Sequence, residues 1–159
     1  MPIKRRRLYW DSNCFIALLT KQQTIENTYL DAIETTYDDM LRGKLKIVTC
    51  ADLFKLEVLP GPSKREAAAY NSLLSCPDFE IVSISLTDLV NDAAQLRQEA
   101  RKKAQSIHTC DAMHIVSAKR SAVDEFWTTD DKLVKKGKAG FFEGLVVCYP
   151  YTEQLRLFL

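Results

Sequence analysis

Short strand-like runs alternate with helical patterns along the whole sequence, and this alternation limits the possible folds more than any other feature. The runs rich in β-branched and aromatic residues are "RLYW", "KLKIVTC", "DFEIVSI", "EFWTT" and "GLVVCY". Helical spacing of apolar residues fills most of the intervals between them. Because strands separated by helices form βαβ units with right-handed crossovers, we expect an α/β fold with a mainly parallel sheet flanked by helices.

Several segments have the apolar spacing or the end signals of helices. One covers about 25–41, a second is "ADLFKLEVL", and a third runs from a cap at Ser63 to about Leu74. Ser85 begins the sequence "SLTD", which has the form of a capping box before a long amphipathic helix. The last two predicted helices are "CDAMHIVSAKR" and "DKLVKKG".

The composition is that of an ordinary folded domain. Hydrophobic residues make up 47% of the 159 residues and charged residues 27%, which excludes a disordered chain, and we expect one domain over residues 1–159. The five cysteines have neither a C-x-x-C pair nor a zinc-type spacing, so we expect reduced thiols. No apolar stretch has the length of a membrane span, and the N-terminus lacks the apolar run of a signal peptide. These features predict a cytoplasmic protein.

Charge is clustered, although the net charge is only +1. Basic residues group at 4–7, 97–103 and 132–138, and acidic residues group at 31–39. Basic clusters attract polyanions such as nucleic acids, and they also form the solvated faces of helices. The sequence leaves both interpretations open for each cluster.

Two aspartates directly follow predicted strands. Asp11 comes after "RLYW", and Asp130 comes after "FWTT". Ligands of open parallel sheets bind at the carboxyl ends of the strands, so both carboxylates should lie at the same edge of the sheet. Aspartates in this position also cap helices, which is the structural alternative for both residues.

Two further acids lie in predicted helices among apolar residues, Glu57 in "LFKLEVL" and Asp111 in "CDAMHIV". A carboxylate on the apolar side of a helix is close to the sheet, where burial is costly unless a cation or a proton compensates it. If the four acids meet about 5 Å apart, each pair repels by roughly 3 kcal/mol. Carboxylate oxygens suit Mg²⁺ or Mn²⁺, so the four acids form a candidate metal site.

Four segments resemble the PIN-domain ribonucleases, in particular the VapC-like toxins of toxin-antitoxin pairs. They are "LYWDSNCFIALL", "VTCADLFKLEVL", "AAQLRQEARKKAQSIHTCDAMHIVSAKR" and "FWTTDDKLVKKG". The resemblance implies a three-layer α/β/α sandwich with a mainly parallel central sheet. It also implies that four acids bind one or two Mg²⁺ or Mn²⁺ ions and that two small polar residues support them. The implied metal ligands are Asp11, Glu57, Asp111 and Asp130, and the supporting residues are Asn13 and Thr128.

The chain departs from the family pattern in two respects. The segments "TIENTYLDAIETTYDDMLRGK" and "PGPSKREAAAYNSLL" are longer than in compact members. The fourth acid is doubled as Asp130 and Asp131, and the spacing after the two threonines favours Asp130.

The activity that the resemblance implies is metal-dependent endonucleolytic hydrolysis of RNA phosphodiester bonds. Basic residues near the acids would hold the RNA, and the candidates are Arg97, Lys132, Lys135 and Lys136. The resemblance to toxins further implies an antitoxin partner and a homodimer.

Other functional classes compete with this interpretation. A haloacid-dehalogenase-type phosphatase also has an aspartate after its first strand, but it needs a second acid where this chain has Asn13. A receiver domain needs an acid pair and a lysine at spacings that do not fit this chain. A PIN-like module that binds RNA or a protein without cleaving it would keep the same fold and the same acids.

The histidine and the tryptophans near the acids have structural interpretations. His114 lies one helical turn after Asp111, and Trp10 and Trp127 precede the aspartates that follow their strands. We expect His114 to be a hydrogen-bonded structural residue and not a catalytic base. We expect the tryptophans to pack in the core and not to stack on bases.

Overall fold

Five strands and seven helices make up residues 4–21, 29–58 and 64–152, which are the residues that this computed structural model describes. The strands are β1 (Arg6–Trp10), β2 (Leu45–Cys50), β3 (Phe79–Val82), β4 (Glu125–Trp127) and β5 (Val147–Cys148). The helices are α1 (Ser12–Thr20), α2 (Leu30–Leu41), α3 (Ala51–Glu57), α4 (Lys64–Ser75), α5 (Leu86–Lys102), α6 (Thr109–Arg120) and α7 (Asp131–Lys138).

The strands form one sheet in the order β3-β2-β1-β4-β5, and each neighbouring pair is parallel. The chain builds β1, β2 and β3 outward on one side. It then crosses through α5 and α6 to place β4 on the other side of β1. Because of this reversal, β1 and β4 are neighbours at a switch in strand order, where α/β sheets bind ligands. The predicted parallel sheet is confirmed.

Successive residues of β1 face opposite layers of helices, as the pleat of a strand requires. Tyr9 belongs to a buried cluster with Leu89 of α5 and Ile115 of α6. Trp10 belongs to a second cluster with Phe15 of α1. Two apolar layers therefore cover the two faces of the sheet, which confirms the three-layer α/β/α sandwich.

The two tryptophans of the central strands pack in the core, as predicted. Trp10 and Trp127 are fully buried, and their rings stack with centroids 6.3 Å apart. They anchor the ends of β1 and β4 at the point where the chain leaves both strands.

Three predicted strands are too long. β3 ends at Val82 because its partner β2 ends at Cys50, where α3 begins. β4 ends at Trp127, opposite Trp10, because both chains then turn into the caps of helices. The last strand keeps only Val147–Cys148 of "GLVVCY", the two residues that pair with β4.

The helix predictions need two corrections, and part of them is not tested. Ser85 precedes α5, but its side chain makes no capping hydrogen bond, and only its carbonyl oxygen accepts from the Leu89 N–H. α1 is absent from the sequence prediction. The predicted cap at Ser63 and residues 25–28 of the first predicted helix lie outside the described residues. Among the described helices, none has the length and apolar character needed to cross a membrane.

Candidate active site

Asp11 lies at the carboxyl end of β1 and caps α1. Its Oδ1 accepts a hydrogen bond from the Cys14 N–H at 3.1 Å, and its Oδ2 accepts one from the Thr128 hydroxyl. The side chain is buried, with 5% of the residue exposed. Burial raises the pKa of Asp11 even though these hydrogen bonds act in the opposite direction. The charged form of Asp11 is therefore poorly compensated by the protein alone.

Asp130 lies at the carboxyl end of the neighbouring strand β4 and caps α7. Its Oδ1 accepts from the Lys132 N–H at 2.7 Å and from the Leu133 N–H at 3.2 Å. Its own N–H donates to the Thr128 hydroxyl oxygen at 3.0 Å. One threonine hydroxyl thus links Asp11 to the backbone of Asp130. Both aspartates also cap helices, so the structural alternative holds for each.

Asp111 lies in the first turn of α6, which begins at Thr109, one residue before the predicted start at Cys110. Burial raises its pKa, and the negative charges of Asp130 and Asp11 raise it further, while His108 and His114 act in the opposite direction. The three aspartates are therefore close enough to repel one another. No lysine or arginine among the described residues forms an ion pair with any of them.

Glu57 lies at the C-terminal end of α3 and has protein partners of its own. Its Oε2 accepts from His114 Nε2 at 2.8 Å and from the Ser12 hydroxyl. The bond from His114 is the main reason that the pKa of Glu57 falls to about 2. His114 Nδ1 in turn lies 2.9 Å from the Tyr9 hydroxyl oxygen. Glu57 is thus held as a carboxylate by a buried histidine and by Ser12.

The sequence analysis did not find the roles of His114, Ser12 and Tyr9 around Glu57. His114 is a hydrogen-bonded buried residue, as expected, but its partner is one of the candidate metal ligands. The spacing of three residues from Asp111 signalled that it would face the site. Nothing local indicated that Tyr9 and Ser12 would meet it, because these contacts join residues more than 100 positions apart.

Asp111 and Asp130 line an open cleft of about 570 Å³. The cleft is also lined by His108 and by three cations, Arg97, Lys132 and Lys136. Arg97 is anchored there because its Nε donates to the Ile107 carbonyl oxygen at 3.1 Å. Three of the four basic residues proposed to bind RNA therefore lie beside two of the acids.

The remaining predicted residues lie away from this cleft. Lys135 pairs with Asp131 at 2.5 Å, and both side chains are more than half exposed. Asp131 also accepts a hydrogen bond from the Tyr149 hydroxyl. Of the doubled pair, Asp130 is thus the acid that faces the cleft. Asn13 is exposed on α1.

The donor set suits a hard divalent cation. Asp11 and Asp111 both have raised pKa values because of burial, and Asp111 is also repelled by its two neighbours. Carboxylate oxygens in this situation favour Mg²⁺ or Mn²⁺ over softer metals. Within the described residues, no three Asp, Glu, His or Cys side chains already have the closeness of a complete metal-binding group. The chemistry of the acids therefore fits such an ion, although their side chains are not drawn together around one point.

A family model confirms the resemblance that the four segments suggested. The model of the PIN domain matches residues 8–139. The chain belongs to the PIN domain family. PIN domains are nucleases, so this membership supports a hydrolase acting on nucleic acid. None of the curated proteins matches the chain significantly.

Solved structures share the fold of this PIN domain at low sequence identity. VapBC2 from Rickettsia felis, bound to a DNA fragment from its promoter, has a TM-score of 0.64 and 14% identity, with 90% of this chain and 98% of that chain covered. FitAcB from Neisseria gonorrhoeae has a TM-score of 0.60 and 18% identity, covering 90% and 97%. A toxin-antitoxin complex from Klebsiella pneumoniae has a TM-score of 0.57 and 19% identity, covering 91% and 98%. At these identities the likeness shows the fold.

Proposed function

We propose that this PIN domain is a divalent-metal-dependent endoribonuclease that hydrolyses RNA phosphodiester bonds, and that it is the toxin of a toxin-antitoxin pair. One observation carries the proposal. Asp11, Asp111 and Asp130 come from three separate segments, the negative charges of Asp130 and Asp11 act on Asp111, and no described lysine or arginine pairs with any of the three. A carboxylate such as Asp111, whose pKa is raised by burial and by neighbouring negative charges, is suited to an external cation.

The residues that would hold one or two Mg²⁺ or Mn²⁺ ions are the three aspartates and Glu57. When bound there, such an ion lowers the pKa of a coordinated water and offsets negative charge on the reacting phosphate. Thr128 fixes the orientation of Asp11 and the position of the Asp130 backbone. Glu57 would orient a water or hold a second ion, because Ser12 and His114 keep it charged and in place.

The substrate would enter through the cleft beside Asp111 and Asp130. Arg97, Lys132 and Lys136 line this cleft and would bind the phosphates of the RNA backbone. An unpaired strand or loop is a more natural substrate than a duplex, because its bases can be splayed out and bound individually. Lys135 is less suited to this role than predicted, because it pairs with Asp131 outside the cleft.

The decisive experiment is an RNA cleavage assay over a Mg²⁺ and Mn²⁺ titration with single-acid variants. We expect Asp11→Asn, Asp111→Asn and Asp130→Asn to lose cleavage while remaining folded, because each substitution removes a proposed ligand and relieves repulsion. Asp131→Asn is the matched control, since it removes the adjacent exposed carboxylate and should cleave at close to the parental rate. Parental cleavage by Asp11→Asn or Asp111→Asn would refute the assignment. RNA binding by the parental protein without metal-dependent cleavage would favour a PIN-like binding module.

The proposed partner is an antitoxin that covers the acids at the carboxyl edge of the sheet. The Klebsiella pneumoniae structure of this fold is a toxin-antitoxin complex, and uncompensated carboxylates would accept an arginine or a lysine from such a partner. We expect the chain to arrest growth when expressed alone and to be neutralised by the product of a neighbouring reading frame. Growth arrest that persists with every neighbouring product would contradict the pairing.

Because the chain resembles the VapC-like toxins, we also propose that it forms a homodimer. Sedimentation equilibrium should then give a mass close to twice 18.1 kDa. A mass of a single chain at micromolar concentration would contradict it.

A further inference from the structure

A buried chain of hydrogen bonds ends on Glu57. The Tyr9 hydroxyl lies 2.9 Å from His114 Nδ1, and His114 Nε2 lies 2.8 Å from Glu57 Oε2. The Ser12 hydroxyl donates to the same oxygen of Glu57. These side chains come from β1, α6, α3 and α1, so four separate elements fix one carboxylate.

The bonds of His114 to Tyr9 and Glu57 define the orientation of its ring, and Nε2 also lies 3.2 Å from the Ser12 hydroxyl oxygen. The Glu57 carboxylate only accepts hydrogen bonds, so Nε2 carries a hydrogen and donates it. A ring turned by half a revolution about its Cβ–Cγ bond would place carbon atoms against both Tyr9 and Glu57. It would lose both bonds in a buried site, where unpaired polar groups are costly. The Tyr9 hydroxyl therefore keeps Nε2 directed at Glu57.

His114 is too deeply buried to reach the substrate. Only 4% of the residue is exposed, whereas the Glu57 side chain is 27% exposed. Any contribution of the imidazole to cleavage must therefore act through the carboxylate that it holds.

We propose that His114 is a positioning residue that fixes the orientation of Glu57 at the acidic edge through the bond from Nε2 to Oε2. The effect on cleavage rests on the function proposed above. Hydrogen-bond partners behind a metal-binding side chain typically change activity or metal affinity by about 10–100-fold when removed. We therefore expect a loss of that size in kcat, with an unchanged KM for RNA because the cleft cations are untouched.

The test uses side chains that return one of the two ring nitrogens. His114→Gln places an amide nitrogen where Nε2 lies and can still donate to Glu57, whereas His114→Asn reaches only the position of Nδ1. His114→Leu removes both bonds. Ile115→Val is the matched control, because Ile115 is the next residue of α6, is fully buried and belongs to the core.

We expect His114→Gln to keep most of the parental kcat and His114→Asn and His114→Leu to lose about 10–100-fold at parental KM, as for other removed supporting bonds. Ile115→Val should keep the parental kcat. The proposal is overturned if His114→Gln is as slow as His114→Leu, or if His114→Leu cleaves at the parental rate. If His114→Leu does not fold, His114→Gln against His114→Asn decides in the same way.

A second measurement is independent of cleavage. The chain has two histidines, so ¹⁵N-labelled histidine gives few and assignable ring signals. We expect His114 Nε2 to carry a hydrogen and its ¹⁵N shift to move in Glu57→Gln. An Nε2 without a hydrogen, or a shift that Glu57→Gln leaves unchanged, would overturn the positioning role. A parental protein that cleaves no RNA would refute the proposed function, while this measurement would still decide the role of His114.

Discussion

The acids at the two edges of the sheet have different kinds of bonding partner. At the amino edge, where the strands begin, basic residues of the N-terminal cluster pair with acids from the rest of the chain. The pairs are Lys4–Asp124 at 3.1 Å, Arg5–Asp78 at 2.7 Å, Arg6–Glu125 at 2.6 Å and Arg7–Glu80 at 2.5 Å. At the carboxyl edge, the acids accept hydrogen bonds from backbone N–H groups and from the side chains of Thr128, Ser12 and His114.

The missing lysine and arginine partners of the three aspartates at the carboxyl edge, within the described part of the chain, do not reflect a shortage of cations in the sequence. The sequence holds 22 lysines and arginines against 21 acids. The pKa of Glu80 and of Glu125 is lowered with the help of bonded cations at the amino edge, whereas the pKa of Asp11 and of Asp111 is raised at the other edge. The amino edge is a network of ion pairs within the chain. The basic residues at 4–7 pair with acids of the chain and are therefore not open to a polyanion.

The largest expected effect is the loss of a cation at the amino edge. Arg6→Met should lower the free energy of unfolding by about 3–5 kcal/mol, because it leaves Glu125 buried without its charged partner. Urea unfolding followed by circular dichroism measures the change. Arg6→Met combined with Glu125→Gln should recover part of the loss. A cost below about 1 kcal/mol would show that this pair does not support the sheet.

Adding a divalent cation should stabilise the folded protein through the acids at the carboxyl edge. Mg²⁺ at 100 times its dissociation constant stabilises a folded site by about 2.7 kcal/mol. We expect thermal unfolding of the parental chain and of Arg6→Met to shift upward by equal amounts, and that of Asp11→Asn to shift much less. NaCl at the same ionic strength is the control. An equal shift in Asp11→Asn would place the ion elsewhere.

Neutralising an acid should change the free energy of unfolding in opposite directions at the two edges. Because the folded protein disfavours the charged form of Asp111, Asp111→Asn should stabilise the metal-free protein at pH 7 by roughly 0.5–1 kcal/mol, a value reduced for partial exposure. The gain should vanish as the pH falls below 3.8, the ordinary pKa of the group, because the parental Asp111 is then protonated in both states.

Glu80→Gln is the matched substitution at the amino edge. Lys46 and Arg7 lower the pKa of Glu80, so its charged form adds stability above the ordinary pKa of 4.5, and that stability is lost as the pH falls through the lowered value. We therefore expect Glu80→Gln to destabilise the protein at pH 7 and to approach the parental stability in acid. Urea unfolding from pH 7 down to pH 3 would measure both variants. If both substitutions changed the free energy of unfolding in the same direction at pH 7, the proposed difference between the two edges would be wrong.

The sequence was sufficient for the parallel sheet and for the element that carries or precedes each of the four acids. Strand-then-acid patterns place Asp11 and Asp130 by topology alone, since the carboxyl ends of parallel strands share an edge. Asp111 was placed on the right helix, and α6 begins only one residue before the predicted start at Cys110. α1 was missed because only the cap at Asp11 and the apolar run after it signal a helix so close to a strand.

Long-range contacts between side chains could not be read from the sequence. The partners of Glu57 on β1, α1 and α6 depend on how α3 packs against α6, and no local pattern encodes that packing. The same holds for the N-terminal basic cluster, whose paired acids lie between 73 and 120 residues away along the chain. Strand ends were also too long because each strand stops where its neighbour turns away.

The smallest expected effect tests whether an ion pair at the amino edge must be buried to stabilise the protein. Lys4 pairs with Asp124 at the same edge as Arg6, but the Lys4 side chain is 79% exposed. Asp124 also keeps a hydrogen bond from the Arg7 N–H at 2.8 Å, which is the main reason for its lowered pKa. Lys4→Met should therefore cost less than about 0.5 kcal/mol in urea unfolding, and the cost should disappear in high salt. A loss as large as that of Arg6→Met would mean that the number of ion pairs, and not their burial, stabilises the amino edge.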